Sequence, residues 1–117
     1  MTVSTQDVAN FYNDFSKSVL LKSFQTYNPR QAAVKQLCDQ FIAPNARILE
    51  VGCGAGNITH HLAQQAALIV GVDITEVGLK IASTFVDLPH SHFYLADLTQ
   101  GVPDTVSQHG PFDVIVM

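Results

Sequence analysis

Three glycines that alternate in a short turn form the most specific chemical pattern in the chain. Gly52, Gly54 and Gly56 stand at every other position, directly after an apolar run that ends at Glu50 and Val51. Glycine reaches backbone angles that are closed to other residues, and it lets a ligand approach the main chain closely. Three such residues between a strand and a helix start indicate a loop for a nucleotide-like ligand. A tight turn without a ligand is the alternative.

Two aspartates follow later apolar runs and could bind the same ligand. Asp73 follows the run LIVGV, and Asp97 follows HFYLA. A carboxylate has two acceptor oxygens, so it suits the vicinal ribose hydroxyls of an adenosyl group. A nicotinamide dinucleotide would also favour an acid at position 73, and a plain turn would need no ligand. The glycine spacing favours the adenosyl ligand, because a dinucleotide fingerprint needs a glycine where the chain has Asn57.

The elements that must position these residues follow from the hydrophobic pattern. Four apolar runs predict strands, at Arg47–Val51, Leu68–Val72, His92–Ala96 and Phe112–Met117. Helices are predicted between them, at Ile58–Ala66 after an Asn57 cap, at Glu76–Phe85 after a Thr75 cap, and around Asp104–Gln108. This alternation predicts an α/β fold, a doubly wound Rossmann-like three-layer sandwich with a largely parallel sheet in the order 3-2-1-4. In such sheets, ligands bind beyond the carboxyl ends of the strands.

The N-terminal third has a helical pattern. Apolar residues recur every three or four positions between Asp7 and about Phe24. A second helix is predicted from Asn28-Pro29, with Asn28 as cap, to Phe41. Its predicted buried residues are Ala33, Leu37 and Phe41. In the helix after Thr75, the apolar residues Val77, Ile81 and Phe85 are predicted to share one face. We therefore expect an N-terminal helical cap or lid at residues 1–42 and a sheet-forming part at residues 43–117.

Composition limits the function classes. The 117 residues suffice for one domain, and 47% are hydrophobic, which predicts a packed core. The net charge of -4 is uneven: residues 47–117 hold two basic and seven acidic side chains, which argues against nucleic acid as a partner. No run of about 18 apolar residues is present, so no membrane association is expected. Cys38 and Cys53 do not form a disulfide framework, which favours a cytoplasmic setting, and the histidines suggest no metal site.

The glycine turn also carries a family resemblance. The pattern Glu-x-Gly-x-Gly-x-Gly from Glu50 resembles motif I of the class I S-adenosylmethionine-dependent methyltransferases. The order and spacing of the four strands are similar to that family over roughly residues 42–117. The resemblance implies S-adenosylmethionine as cofactor and S-adenosylhomocysteine as product. It implies cofactor-binding roles for the loop residues Glu50, Gly52, Cys53, Gly54 and Gly56, with Cys53 as a small residue that does not obstruct the ligand.

Further site residues follow from the same resemblance. Asp73 would hold both ribose hydroxyls, and Ile74 would form an apolar wall for the adenine. Asp97 would meet the exocyclic amine of the adenine, and the Leu98 amide would meet a ring nitrogen. Tyr12 belongs to a segment that folds over the cofactor in many small-molecule members, although an ordinary helix packed on the sheet is equally compatible with the pattern. No catalytic residue is predicted.

The resemblance implies a methyltransferase that acts on a small molecule. The family sheet has seven strands in the order 3-2-1-4-5-7-6, so the chain would carry only the cofactor-binding half and would alone be poorly active or inactive. The fourth strand would then be an open edge, which predicts a homo-oligomer through Phe112–Met117 or a portion of a longer polypeptide. The alternatives are a non-catalytic methyltransferase-like binding or oligomerisation module and, less favoured, a nicotinamide-dependent reductase.

Overall fold

Four parallel strands form a single sheet in the computed structural model, which describes residues 4–7, 9–10 and 28–117. The strands are β1 (Arg47–Val51), β2 (Leu68–Asp73), β3 (Ser91–Leu95) and β4 (Val114–Val116). Their order is β3-β2-β1-β4, and all three neighbouring pairs are parallel. The predicted fold class, strand order and direction are therefore confirmed.

Helices connect the strands in the predicted alternation. They are α1 (Pro29–Phe41), α2 (Asn57–Ala63), α3 (Glu76–Phe85) and α4 (Asp104–Ser107), with a 3₁₀ turn at Leu98–Gln100. Residues 5–7 and 9–10 are also helical. Asn28 caps α1 as predicted, because its side-chain oxygen accepts hydrogen bonds from the amides of Arg30 and Gln31 at 3.0 and 3.2 Å.

The start of α2 differs from the prediction. Gly56, with φ +89°, occupies the cap position, and Asn57 is the first residue of the helix. The predicted Asn57 cap was therefore wrong, because the left-handed turn at Gly56 starts the helix one residue earlier than predicted. The helix also ends at Ala63, three residues before the predicted end. β4 is shorter than predicted as well, because only Val114–Val116 pair with β1.

Both faces of the sheet are buried at its two central strands, β1 and β2. One face packs under α1 and α2 through a core that includes Ile48, Ile69 and Leu62. The other packs around Val70 and Val106, and Val106 belongs to α4. A parallel sheet covered on both faces is expected to have continuous apolar strands, which is the pattern of LIVGV in β2.

The buried face of α1 was predicted wrongly. Helix α1 packs through Val34 and Cys38, together with Ile42 directly after its end, whereas Leu37 and Phe41 are 54% and 76% exposed. Ala33 is exposed as well. The predicted residues and the observed ones form two neighbouring rows along this helix, each with a spacing of four residues. Only the contact of the helix with α2 and the sheet decides which row is buried.

The buried face of α3 also differs from its predicted apolar face, because its buried residues are Gly78, Leu79 and Ala82. Val77 and Ile81 are only partly buried, and Phe85 is 45% exposed. This face is buried because α3 packs closely against the glycine turn. A side chain on Gly78 would lie 3.2 Å from the backbone of Gly54.

A membrane-crossing helix is absent from the described part of the chain, since none of its helices has the required length and apolarity.

Candidate functional site

The turn after β1 uses left-handed backbone angles at all three glycines. The φ angles are +76° at Gly52, +55° at Gly54 and +89° at Gly56, a region that other residues rarely adopt. The amides of Gly52 and Cys53 both donate to the carbonyl of Val72, at 2.8 and 3.1 Å. These bonds fold the turn against the carboxyl end of β2.

The glycines differ in the space beside them. A methyl group on Gly56 would lie 3.1 Å from the Ala82 Cβ, so Gly56 permits close packing between the turn and α3. At Gly52 and Gly54, apart from the adjacent residues of the chain, no atom of the described residues lies within 4 Å of the position that a Cβ would take. The first part of the turn therefore presents bare backbone beside open space, and its last part is closed against a helix.

Asp73 joins the glycine turn to the start of α3. Its Oδ2 accepts the Gly54 amide at 2.8 Å. Its Oδ1 accepts both the amide and the hydroxyl of Thr75, at 2.9 and 2.8 Å. Thr75 is the cap residue of α3 as predicted, but its hydroxyl binds Asp73 and makes no cap hydrogen bond.

Asp97 has a closely similar arrangement at the end of β3. Its Oδ1 accepts the amide and the hydroxyl of Thr99 at 3.0 and 2.6 Å. The side chain of Thr5 also hydrogen-bonds to this carboxyl, and together these bonds hold the pKa of Asp97 below its usual range.

The two aspartates lie at one cleft of about 370 Å³. It lies at the carboxyl ends of β1, β2 and β3, and its wall is largely apolar. The lining residues are Thr5, Val51, Gly52, Val72, Asp73, Ile74, Ala96, Asp97, Leu98 and Thr99. Five of the predicted site residues thus line one cleft, and its size is within the range of small-molecule sites.

Four predicted site residues are outside the lining of the cleft: Gly54 and Gly56 in the turn itself, and Glu50 and Cys53 behind it. Glu50 is only 4% exposed, and burial raises its pKa to about 7, with a further contribution from the nearby charge of Asp73. Cys53 is buried too, and a methyl group on Gly71 would lie 3.0 Å from its sulfur. Burial raises the pKa of the Cys53 thiol, so it is a packing residue in its protonated form.

Tyr12 lies outside the described residues, so the contact predicted for it stays a prediction. The prediction missed Thr5 and Thr99, both of which line the cleft. A sequence signal for Thr99 does exist, because the tripeptide Asp-apolar-Thr occurs after both β2 and β3, as DIT and DLT. No comparable signal marks Thr5.

A second cleft, of about 380 Å³, lies between α1 and α2 and includes Cys38 and Gln65. It holds a hydrogen-bonded contact in which the His61 Nε2 and Asp39 Oδ1 atoms are 2.7 Å apart. None of the predicted site residues lines it. In residues 4–7, 9–10 and 28–117, no group of three histidine, cysteine or acidic side chains is placed to hold a metal ion.

Comparison with known proteins assigns the family. Residues 42–117 match the family model of the methyltransferase domain. The chain belongs to the methyltransferase domain family. This match covers well over half of the chain and includes all four strands of the sheet. The resemblance predicted from the glycine turn and the aspartates is therefore confirmed.

Relatives of this methyltransferase domain include enzymes for different acceptors. The 23S rRNA (uracil(1939)-C(5))-methyltransferase of Alkalilimnicola ehrlichii is 35% identical over 74% of the chain and 20% of its own length. The ubiquinone biosynthesis O-methyltransferase of Maricaulis maris is 29% identical over 81% of the chain and 40% of its own length. The chain thus spans between one fifth and two fifths of these curated relatives.

Solved structures share the fold. Magnesium protoporphyrin IX methyltransferase from Synechocystis, solved with bound S-adenosylmethionine, superposes with a TM-score of 0.68 at 20% identity. That match covers 98% of this chain and 61% of the Synechocystis protein. The N-methyltransferase NodS from Bradyrhizobium japonicum, in complex with S-adenosylhomocysteine, gives 0.62 at 24% identity over 75% and 44% of the two chains.

Proposed function

We propose that this chain is the cofactor-binding part of a methyltransferase that uses S-adenosylmethionine and releases S-adenosylhomocysteine. The observation that carries the proposal is the meeting of Gly52, Asp73 and Asp97 at one cleft of a methyltransferase domain. Each of these residues comes from the end of a different strand, so the arrangement depends on the pairing of β1, β2 and β3.

The residues in the cleft fit an adenosyl group. Its ribose hydroxyls and its exocyclic amine are hydrogen-bond donors, and Asp73 and Asp97 are acceptors. The apolar side chains of Ile74 and Leu98 follow these two acids and suit the faces of an adenine ring. The open space beside Gly52 and Gly54 leaves room for the amino-acid part of the cofactor.

When bound, S-adenosylmethionine supplies a methyl group already activated on a sulfonium centre. The task of the chain is then to hold and orient this group and to exclude water from the nucleoside. Orientation of two reactants can lower a barrier by about 7–11 kcal/mol, so a dedicated nucleophile is not required. Glu50 and Cys53 are assigned indirect roles, as buried support for the turn, because neither lines the cleft.

We propose a small molecule as the methyl acceptor. Residues 47–117, which form the sheet and the cleft, hold two basic and seven acidic side chains, a balance that disfavours contact with a phosphate backbone. An RNA acceptor is the competing candidate, since one relative is named for its action on 23S rRNA. Filter binding with short RNA duplexes and hairpins should detect no complex at 150 mM salt, and tight binding would favour the RNA acceptor.

The division at residue 42 is also part of the proposal, with residues 1–42 as a cap. Its support is Thr5, which lines the cleft and hydrogen-bonds to Asp97, and Ala9, which is buried. A cytoplasmic setting is retained from the composition, since Cys38 and Cys53 are free thiols. A homo-oligomer through the β4 edge is retained as well, because Ile115 and Met117 are 59% and 94% exposed.

Isothermal titration calorimetry with S-adenosylhomocysteine and NADH, performed side by side, tests the proposed cofactor. We expect heat of binding only with S-adenosylhomocysteine. Ligand at about 100 times its dissociation constant should add about 2.7 kcal/mol to the free energy of unfolding, which a melting curve detects. Preference for NADH would support the reductase. Binding without methyl transfer, in a chain extended to the length of its relatives, would support the non-catalytic module.

A further inference from the structure

Both aspartates in the cleft are followed two residues later by a threonine that binds them in the same way. In Asp73-Ile74-Thr75 and in Asp97-Leu98-Thr99, the threonine amide and hydroxyl both donate to Oδ1 of the aspartate. The four distances lie between 2.6 and 3.0 Å. The two tripeptides follow neighbouring strands, β2 and β3, and open on the same cleft.

We propose that Thr75 and Thr99 are matched positioning residues, which hold the carboxylate of each aspartate in one orientation towards the ligand. This inference rests on the proposed function, because the ligand is the adenosyl group. Two donors from the threonine hold Oδ1 in each case, so less ordering of the carboxylate is needed when the ligand binds. At Asp97 the side chain of Thr5 adds a further hydrogen bond to the same carboxyl.

Asp73 is held at both carboxylate oxygens. Its Oδ2 accepts the Gly54 amide at 2.8 Å while Thr75 binds Oδ1, so the carboxylate is oriented before the ribose hydroxyls reach it.

Calorimetry with four variants and three ligands tests the proposal. The variants are Thr75→Val, Thr99→Val and the corresponding Thr75→Ser and Thr99→Ser. The ligands are S-adenosylhomocysteine, its 2′,3′-dideoxy analogue and its analogue with purine in place of adenine. Thr84→Val is the matched control, because the Thr84 hydroxyl donates to the Lys80 carbonyl at 2.9 Å and lies on the exposed side of α3, outside the cleft.

We expect Thr75→Val to weaken the binding of S-adenosylhomocysteine about three- to tenfold, and the binding of the dideoxy analogue less than twofold. Thr99→Val should weaken the binding of S-adenosylhomocysteine by a similar factor, but the binding of the purine analogue less than twofold. The serine variants should restore the affinity. Equal losses for each ligand and its matched analogue, or no loss at all, would overturn the proposal, since a general disturbance of the fold does not distinguish ligand groups.

A measurement without ligand separates this inference from the proposed function. Three-bond Hα–Hβ couplings of Asp73 and Asp97 should report one side-chain rotamer in the parent chain and averaged rotamers in the respective valine variants. Unchanged couplings would overturn the positioning role even if the ligand binds. Failure of the parent chain to bind S-adenosylhomocysteine would instead refute the proposed function, and the couplings would still decide whether the threonines hold the carboxylates.

Discussion

Thr59 donates its hydroxyl to both carboxylate oxygens of Glu50, at 2.9 and 3.1 Å. One hydroxyl has a single proton, so it only partly compensates an ionised carboxylate that is 4% exposed. Burial therefore raises the pKa of Glu50 to about 7, against the opposing effect of the Thr59 hydrogen bond. The buried acid behind the glycine turn thus favours its protonated form up to neutral pH.

Glu50 should make the stability of the chain fall as the pH rises. Its folded-state pKa of about 7 is above the ordinary value of 4.5, so the folded state holds a proton that the unfolded state has lost. The resulting stabilisation is complete below pH 4.5, declines above it, and is lost as the pH passes 7. It amounts to about 3 kcal/mol.

Urea denaturation of the parent chain and of Glu50→Gln at pH 5 and pH 8 measures this effect. We expect the variant to lack most of the decline that the parent shows. Glu76→Gln is the control, because the Glu76 side chain is 67% exposed and should leave the decline unchanged. The same decline in the parent chain and in Glu50→Gln would contradict the assignment.

Gly56→Ala should destabilise the chain more than Gly52→Ala. Both positions have left-handed φ angles, which cost other residues about 1–2 kcal/mol. Only at Gly56 would the added methyl group also lie 3.1 Å from Ala82. Thermal melts of the two variants should therefore rank Gly56→Ala lower in Tm, and equal melting temperatures would show that this packing contributes nothing.

Asp73→Asn should weaken the binding of S-adenosylhomocysteine about ten- to hundredfold, because hydrogen bonds to a charged acceptor are stronger than hydrogen bonds to a neutral one. The fold should persist, since an asparagine oxygen can still accept from the Gly54 amide. Asp87→Asn, which removes the same charge from an exposed loop, should bind like the parent in calorimetry. If Asp73→Asn also binds like the parent, its assignment to the ribose is wrong.

Arg47→Met should loosen β4. The Arg47 side chain donates to the carbonyls of His109 and Pro111, and its main chain exchanges two hydrogen bonds with Asp113. We expect a loss of about 1–3 kcal/mol in urea denaturation, together with faster hydrogen exchange at β4. Arg30→Met, on the exposed side of α1, should change neither measurement. Unchanged exchange at β4 in Arg47→Met would contradict this anchoring role.

The two edges of the sheet offer a controlled test of self-association. Ile115 on β4 and Leu95 on β3 are both 59% exposed. If the chain pairs through β4, Ile115→Lys should shift sedimentation velocity towards the monomer, whereas Leu95→Lys should keep the parent distribution. A parent chain that sediments as a monomer at high concentration would contradict the predicted edge pairing.

The local sequence pattern was sufficient to predict the helices and strands and the general location of the site. β1 and α3 have the predicted bounds, because a continuous apolar run or a capped amphipathic segment is specified within a few residues. Asp73 and Asp97 could be assigned to one edge without coordinates, since the carboxyl ends of parallel strands meet there.

Relationships between distant parts of the chain were decided only by the tertiary structure. Sequence alone specified the glycine turn, the apolar strands and the acids that follow them, because each is a local property of the chain. The fold decided that Asp73 holds Gly54, nineteen positions earlier, and that Glu50 is buried. It also decided that Thr5 reaches Asp97. Burial and hydrogen-bond partners of this kind depend on which surfaces meet when the sheet forms, and residue spacing along the chain does not encode those surfaces.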